Sequence, residues 1–484
     1  MSRENQIIKE RERKLKELRK MGINPYIEKF DKKHSIQKCL DSKLGAKVKT
    51  AGRLMSKRAI GAICFSELMD FTGKMQLVFQ DEELGKKSHD LFKKYFDIGD
   101  IMGVEGNICK TKTGQKSIMV KKITLLTKSI LPLPSKWHGL QDKEERYRKR
   151  YLDLIMNPEI KKVFEIRRKI FDSIREFMKL KDFIEVQTPI LQPIYGGASA
   201  RPFESKLYAL KMKVYMRISN ELYLKRLIVG GYEKIFEFSP DFRNEGIDRT
   251  HNPEFTQVET MWAYADYKDN MKFAEEMISY VVKKVKGKTK IKISGQDIDF
   301  KTPWKKISFI DSIKNKTKVD FSKVENLKEA KNLAKKLGVE ADNCGTIGEV
   351  MIAVFEEKIQ PNLIQPTIIY DYPIEAAGLA KSTEKKEYFV SSFEVIINGM
   401  EMGLSYSEQN NPKALENYWE FAEEKFKKGD LEAQPKDEDF IYALKIGMPP
   451  TSGLGVGIDR LAMLLTDNSS IRDVILFPFM KPEK

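Results

Sequence analysis

Apolar and polar residues alternate most persistently between Phe236 and Tyr267, in FEFSPDFRNEGIDRTHNPEFTQVETMWAYADY. Two period-two runs flank a charged loop, which predicts a long antiparallel hairpin. The period sets Asp241, Arg243 and Glu245 on one face of the first strand, and Phe255, Gln257, Glu259 and Met261 on one face of the second. The loop adds Arg249, His251 and Asn252. Such a face is badly suited to a core. It suits a nucleotide beside a charged small molecule, because arginine forks onto phosphate or carboxylate, an aromatic ring stacks on a base and a glutamate holds an amine.

The pattern elsewhere divides the chain into four parts. Residues 1–45 open with a charged helix carrying a weak stripe of Ile7, Ile8, Leu15 and Leu18, ended by Gly22 and Pro25. Residues 46–128 read as five short strands with a helix, LGKKSHDLFKKYF, after the third; that order predicts an OB-fold barrel. Residues 129–150, with two prolines and a charged helix, read as a linker. Residues 151–484 begin with an amphipathic helix from Ile160 to Leu180, followed by FIEVQTPIL as a strand. The stretch from about 271 to 363 is helical and lysine-rich, with no chemistry of its own; a structural or RNA-facing role is expected. The fold class expected is α+β and multidomain: a β-barrel, then an antiparallel sheet flanked by helices.

Composition narrows the function. With 86 basic and 70 acidic residues the net charge is +16, which favours a polyanionic partner. The four cysteines are scattered without a CxxC pair, which argues against zinc and disulfides and fits a reducing cytoplasm. No apolar run reaches the roughly 18 residues of a membrane span.

FRNEG followed by HNPEF resembles motif 2 of the class II aminoacyl-tRNA synthetases in their lysyl-specific form, the bacterial type with an N-terminal anticodon-binding OB-fold. FMKLKDFIEVQTPIL (about 177–191) is similar to motif 1, the hairpin (about 236–264) to motif 2, and GLGVGIDRL (about 453–462) to motif 3. The resemblance implies activation of L-lysine by ATP, release of pyrophosphate and transfer to the 3′ end of tRNA(Lys), by a cytoplasmic homodimer joined through motif 1. It assigns Arg243 and Arg460 to catalysis. ATP falls to Arg243, Glu245, His251, Asn252, Phe255, Glu401 and Arg460. Lysine falls to Gly197, Glu221, Arg243, Glu259, Met261, Glu408 and Asn410. Mg2+ is placed on Glu401 and Glu408, and the anticodon on Lys57, Phe65 and Gln76.

This sequence departs from that pattern close to the pocket. Met261 stands where the family usually has tyrosine, Leu404-Ser405 replace Asn-Gly, and Ala376-Ala377-Gly378 sit where Ser-Pro is commoner. A remodelled pocket that still takes lysine is expected. The alternatives are an aspartyl- or asparaginyl-type enzyme, which would need a cationic or amide-reading pocket, and a synthetase-like protein that modifies proteins or only binds RNA.

Overall fold

The computed structural model describes residues 2–134, 140, 142–383, 386–427 and 435–483. Part of the expected linker, 135–139 and 141, lies outside them. The chain forms two compact units, Met1–Gln141 and Asp142–Lys484.

In the first unit the strands Lys47–Ile60, Ile63–Met69, Lys74–Phe79, Ile101–Lys110 and Lys116–Thr127 close into a barrel. Alternation sends Val48, Leu54, Leu68, Leu77, Met102, Val104, Ile118 and Val120 inward. The helix Lys86–Tyr95 follows the third strand and stacks Phe92 on Phe79 at 4.0 Å between ring centroids. The N-terminal helix Arg3–Lys20 belongs to this unit. Leu18 joins the barrel core, Arg11 donates to the carbonyls of Ile98 and Leu131 at 2.8 Å, and Lys14 pairs with Asp97 at 2.7 Å. Of the stripe expected on that helix, only Leu18 is fully buried.

The second unit is organised by an eight-stranded mixed sheet. Its order is Lys305–Ser308, Thr367–Tyr370, Ser392–Ile397, Met400–Ser407, Thr451–Gly457, Glu254–Ala263, Lys234–Phe242 and Ile184–Glu185. The interior pairings are antiparallel and the two edge pairings parallel. The helices Lys161–Leu180, Tyr267–Lys286 and Ile458–Thr466 bury Ile170, Ile174, Phe177, Met277, Val281, Leu461 and Leu464 against Val258 and Val456 of the sheet. Burying this apolar surface is the main favourable term in holding the sheet to its helices. The stretch from about 271 to 363 is built into the same unit. It supplies the edge strand Lys305–Ser308 and a satellite core of Phe309, Ile313, Val350 and Phe355.

The motif 1 strand differs from its expected form. FIEVQTPIL is not one strand: Ile184–Glu185 pairs with the hairpin, and Leu191–Gln192 joins a separate small sheet. Between them Pro189 has no N–H to give to a ladder. The Thr188 backbone N–H and hydroxyl turn instead to Glu237, at 3.2 and 2.7 Å. Glu237 also accepts from Arg217 at 2.7 Å and Asn220 at 2.9 Å, all within the buried layer under the hairpin. Removing one member of a buried charge pair strands the other without water. Glu237→Ala is therefore expected to destabilise the catalytic unit by about 3–5 kcal/mol, seen as a lower urea midpoint. Glu204→Ala, at the exposed Lys213 pair, is expected to cost less than about 1 kcal/mol.

Candidate active site

The hairpin strands Lys234–Phe242 and Glu254–Ala263 pair with Glu259 opposite Glu237 and Met261 opposite Ile235. On its other side the second strand meets Thr451–Gly457, with Gln257, Glu259 and Met261 opposite Gly457, Gly455 and Gly453. Every second residue of GLGVG is thus a glycine beside a pocket side chain. The reason is visible at Gly453, where a Cβ would lie 2.4 Å from Glu408 Oε1 and 2.9 Å from Met261 Cε. Glycine there leaves room for the two side chains to converge.

Above this floor is a cavity of about 440 Å3. Its walls carry Gly197, Glu221, Arg243, Glu245, His251, Asn252, Phe255, Glu259, Met261, Glu401, Glu408 and Arg460. Asn410 is not among them. Its amide oxygen accepts from Lys381 at 2.9 Å and its nitrogen donates to the Met448 carbonyl at 3.3 Å, which uses both ends of the group outside the cavity.

At the hairpin's open end, the first strand stops at Phe242. Arg243 and Glu245 therefore sit in the loop and not on the strand face expected for them. The Arg243 guanidinium lies 5.0 Å from the centre of the Phe255 ring. Asp241 is buried beneath. It accepts from Ser239 and Gln257 at 2.6 Å each, and burial raises its pKa to about 7 despite nearby Arg217 and Arg243. His251 is exposed and paired with Asp248 at 2.8 Å. Asn252 donates to the Glu254 carbonyl at 2.6 Å and so braces the turn.

The inner end is anionic. Glu221 opens the helix Glu221–Val229, and Lys225, one turn on, brings its ammonium onto Glu221 and Glu408. Burial pulls the Lys225 pKa down, but the two carboxylates outweigh it and hold the ammonium charged. Burial, with Glu221 adding to it against the pull of Lys225, raises Glu408 to about 8. Glu259 is pushed well above the usual carboxylate range by burial, Asp241 and Glu221, and its Oε2 has no hydrogen-bond partner. Three buried carboxyl groups thus face the cavity with one resident cation, which pairs with Glu221 and Glu408 only, a deficit that a cationic ligand would fill.

The structure corrects the metal pair. Glu401 and Glu408 both reach the cavity because a register shift opposite Val395–Ile396 returns Glu401 to the face of Leu404, Tyr406 and Glu408. Seven residues of extended chain still separate their backbones by roughly 20 Å, too far for one ion whose ligand distances are about 2 Å. Glu408 is 2% exposed and belongs to the anionic end. The carboxylate missed in the sequence is Glu394, on the neighbouring strand opposite Leu404 and also seven residues from Glu401. Tyr372 donates to it at 2.9 Å, and burial together with Glu401 pushes its pKa to about 8. Arg460 donates at 3.0 Å to both the carbonyl and the carboxylate of Glu401. Among the described residues no group of three or more metal-ligating side chains gathers, so a cation on Glu394 and Glu401 would complete its shell with substrate oxygens and water.

In the barrel, register decides the fate of the three residues expected at the RNA. Phe65 and Glu67 share one face, and Gln76 lies opposite Glu67, so Phe65 and Gln76 are on the same side. Lys57 is not. It pairs with buried Ser66, and its ammonium donates to the carbonyls of Phe92, Lys93 and Phe96 at 3.0, 2.7 and 2.8 Å. All three protons are used at the end of a helix, where cations are favoured. Arg58, exposed and opposite Phe65, is a basic residue on that outer face. Counting alternation back across the hairpin from Phe65 would have found it.

Two family models match the chain: tRNA synthetases class II (D, K and N) over residues 142–481 and the OB-fold nucleic acid binding domain over residues 48–126. Among curated relatives, the lysine–tRNA ligase of Carboxydothermus hydrogenoformans is 48% identical, with 99% of this chain and 98% of the relative covered. That of Clostridium novyi is 47% identical over 99% and 95%, and that of Nostoc punctiforme 44% over 97% and 87%. With its three motifs gathered on one glycine-floored sheet and its similarity spanning nearly the whole length, the chain belongs to the lysine–tRNA ligases of the class II synthetase family.

Proposed function

We infer that the protein activates lysine with ATP and transfers it to tRNA(Lys). The observation that carries this is the charge distribution of the cavity. Glu221 and Glu408 hold Lys225 at the inner end, with Glu259 buried in the same wall, while Arg243 and Arg460 stand at the outer end with Phe255. A lysine fits with its ammonium inward and its carboxylate outward. An aspartate side chain would be repelled by these carboxylates, and an asparagine amide can donate to them but brings no charge to balance theirs, so the aspartyl-type alternatives are disfavoured. A protein that only binds RNA has no use for two arginines at one end and buried acids at the other.

The chemistry follows from that placement. The amino acid carboxylate attacks the α-phosphorus of ATP and pyrophosphate leaves. The step brings two anions together and needs positioning and charge neutralisation more than a covalent nucleophile. Arg243 spans the carboxylate and the α-phosphate, and Phe255 offers its ring to the adenine. Glu245 lies in the same loop to accept from the adenine amine. Arg460 leaves Glu401 for the terminal phosphates. Gly197, with φ +87°, holds its backbone close to Ser219 and Glu221, where the α-amino group would lie. Glu394 and Glu401 fit Mg2+: both are hard oxygen donors, and the crowding of their charges is relieved by a divalent ion. When bound, that ion neutralises the phosphate oxygens.

Partners and setting follow the same reading. Ile184, Ile190, Leu191, Leu207, Tyr208 and Leu210 are exposed around the motif 1 segment, with Tyr208 at 81%, and support a homodimer joined there. Among the described residues no helix is long and apolar enough to cross a membrane. Work on tRNA assigns the protein to the cytoplasm. On the barrel, Phe65, Gln76 and Arg58 form the proposed anticodon face.

The test is ATP–pyrophosphate exchange with each of the twenty amino acids; lysine alone is expected to support it, and exchange with another amino acid would overturn the assignment. Within that assay Glu394→Gln is expected to raise the Mg2+ needed for half-maximal rate, whereas Glu408→Gln raises the KM for lysine and leaves the Mg2+ requirement in place.

The raised Glu408 carboxyl sets a pH dependence. It must be ionised to hold an ammonium, so lysine binding takes up the anionic form and releases a proton below about pH 8. The Kd for lysine, followed by calorimetry, is expected to fall as pH rises from roughly 6.5 to 8.5 and then level off. Phe65→Ala is expected to weaken tRNA binding by about 1–3 kcal/mol in a filter-binding assay, with pyrophosphate exchange unchanged.

A further inference from the structure

Tyr406 stands at the inner end of the cavity, on the strand Met400–Ser407. Its hydroxyl donates to Glu221 Oε2 at 2.6 Å. The other oxygen of Glu221 is held by the Lys225 ammonium, which also touches Glu408 and lies 5.7 Å from the centre of the Tyr406 ring. Glu221 is therefore fixed from two sides, by one charged donor and one neutral donor. Met261, buried beside them, offers no hydrogen; its Cε and Glu408 Oε1 converge over Gly453. Burial and the carboxylates of Glu221 and Glu408 push the Tyr406 phenol well above its ordinary pKa, so it stays protonated and remains a donor.

We infer that Tyr406 is the positioning residue of the amino acid pocket, a neutral hydroxyl that orients Glu221 for the substrate ammonium without adding positive charge. The distinction matters because a second resident cation would cancel the anionic deficit that selects the ligand. A hydroxyl fixes the carboxylate's direction and leaves its charge available. Lys225 already supplies a positive charge to Glu221 and Glu408, and a further ammonium or guanidinium would compete with lysine for the same oxygens. The inference rests on lysine being the substrate.

The test uses the full chain in lysine-dependent ATP–pyrophosphate exchange, comparing wild type with Tyr406→Phe. The variant keeps the ring over Lys225 and removes only the donor. A hydrogen bond to a charged group corresponds to about tenfold or more, so the KM for lysine is expected to rise by that factor. The KM for ATP should stay within about twofold, and kcat should fall less than the lysine KM rises. A lysine KM within twofold of wild type would overturn the inference. So would a parallel rise in the KM for ATP, which would mark a general loss of structure. The substrate reading fails separately: wild type would then exchange with another amino acid and not with lysine. The role of Tyr406 is in that case judged by the same comparison on the KM of the amino acid that is activated, and an unchanged value overturns it.

Discussion

Burying three carboxyl groups in one cavity with a single ammonium, paired to two of them, is the constraint on which the catalytic unit depends. Glu221, Glu259 and Glu408 come from a helix start, the hairpin and the end of a neighbouring strand, and Lys225 alone among the described residues bridges two of them. Repulsion among buried anions has to be resisted by the surrounding framework, and here it is resisted by a sheet. The hairpin is clamped between Thr451–Gly457 and the motif 1 segment, and beneath it Arg217, Glu237, Asn220 and Thr188 close a second buried polar network. The result is a pocket that is strained electrostatically when empty and relaxed by a cation.

The same sheet separates the two kinds of charge the reaction needs. Glu221 and Glu408 lie at one end with Lys225, and Arg243 and Arg460 lie at the other, the arrangement that the proposed reading uses for the substrate's ammonium and for its carboxylate and the nucleotide. The bulge opposite Val395–Ile396 matters here, since without it Glu401 would turn to the other face of the sheet and leave Arg460 without its partner. The helix that leads into motif 1 contributes from a distance: Arg167 on the helix Lys161–Leu180 reaches Asp459, which accepts from the Thr256 N–H at 2.6 Å and so ties the motif 3 helix to the hairpin. The three motifs are therefore one mechanical object as well as one cavity.

Much of this was legible because it is local. Alternation set the faces of the second hairpin strand. The five strands and inserted helix of the barrel followed from turn residues and period. Phe255, Glu259 and Arg460 line the cavity, and Arg243 reaches it from the loop and not from the strand face expected for it. Lys57, Asn410 and the pairing of Glu401 with Glu408 were misjudged. Each depended on which face or which neighbouring strand a residue meets, and a one-residue change in register or a single bulge reverses that without leaving a mark in composition. Glu394 and Tyr406 escaped for the same reason, as their partners lie far away in sequence or on another strand.

The sequence by itself determined the elements, their order and the presence of a site built for ATP and an amino acid, since those rest on periodicity, turn chemistry and motif spacing carried within short stretches of chain. Only the tertiary structure decided which carboxylates stand beside one another, which lie against Lys225, and whether Lys57 is on the outer face of the barrel or caps a helix. Electrostatics and coordination act through space over a few ångströms, and the chain brings residues to such distances only after strands from remote segments have taken their register.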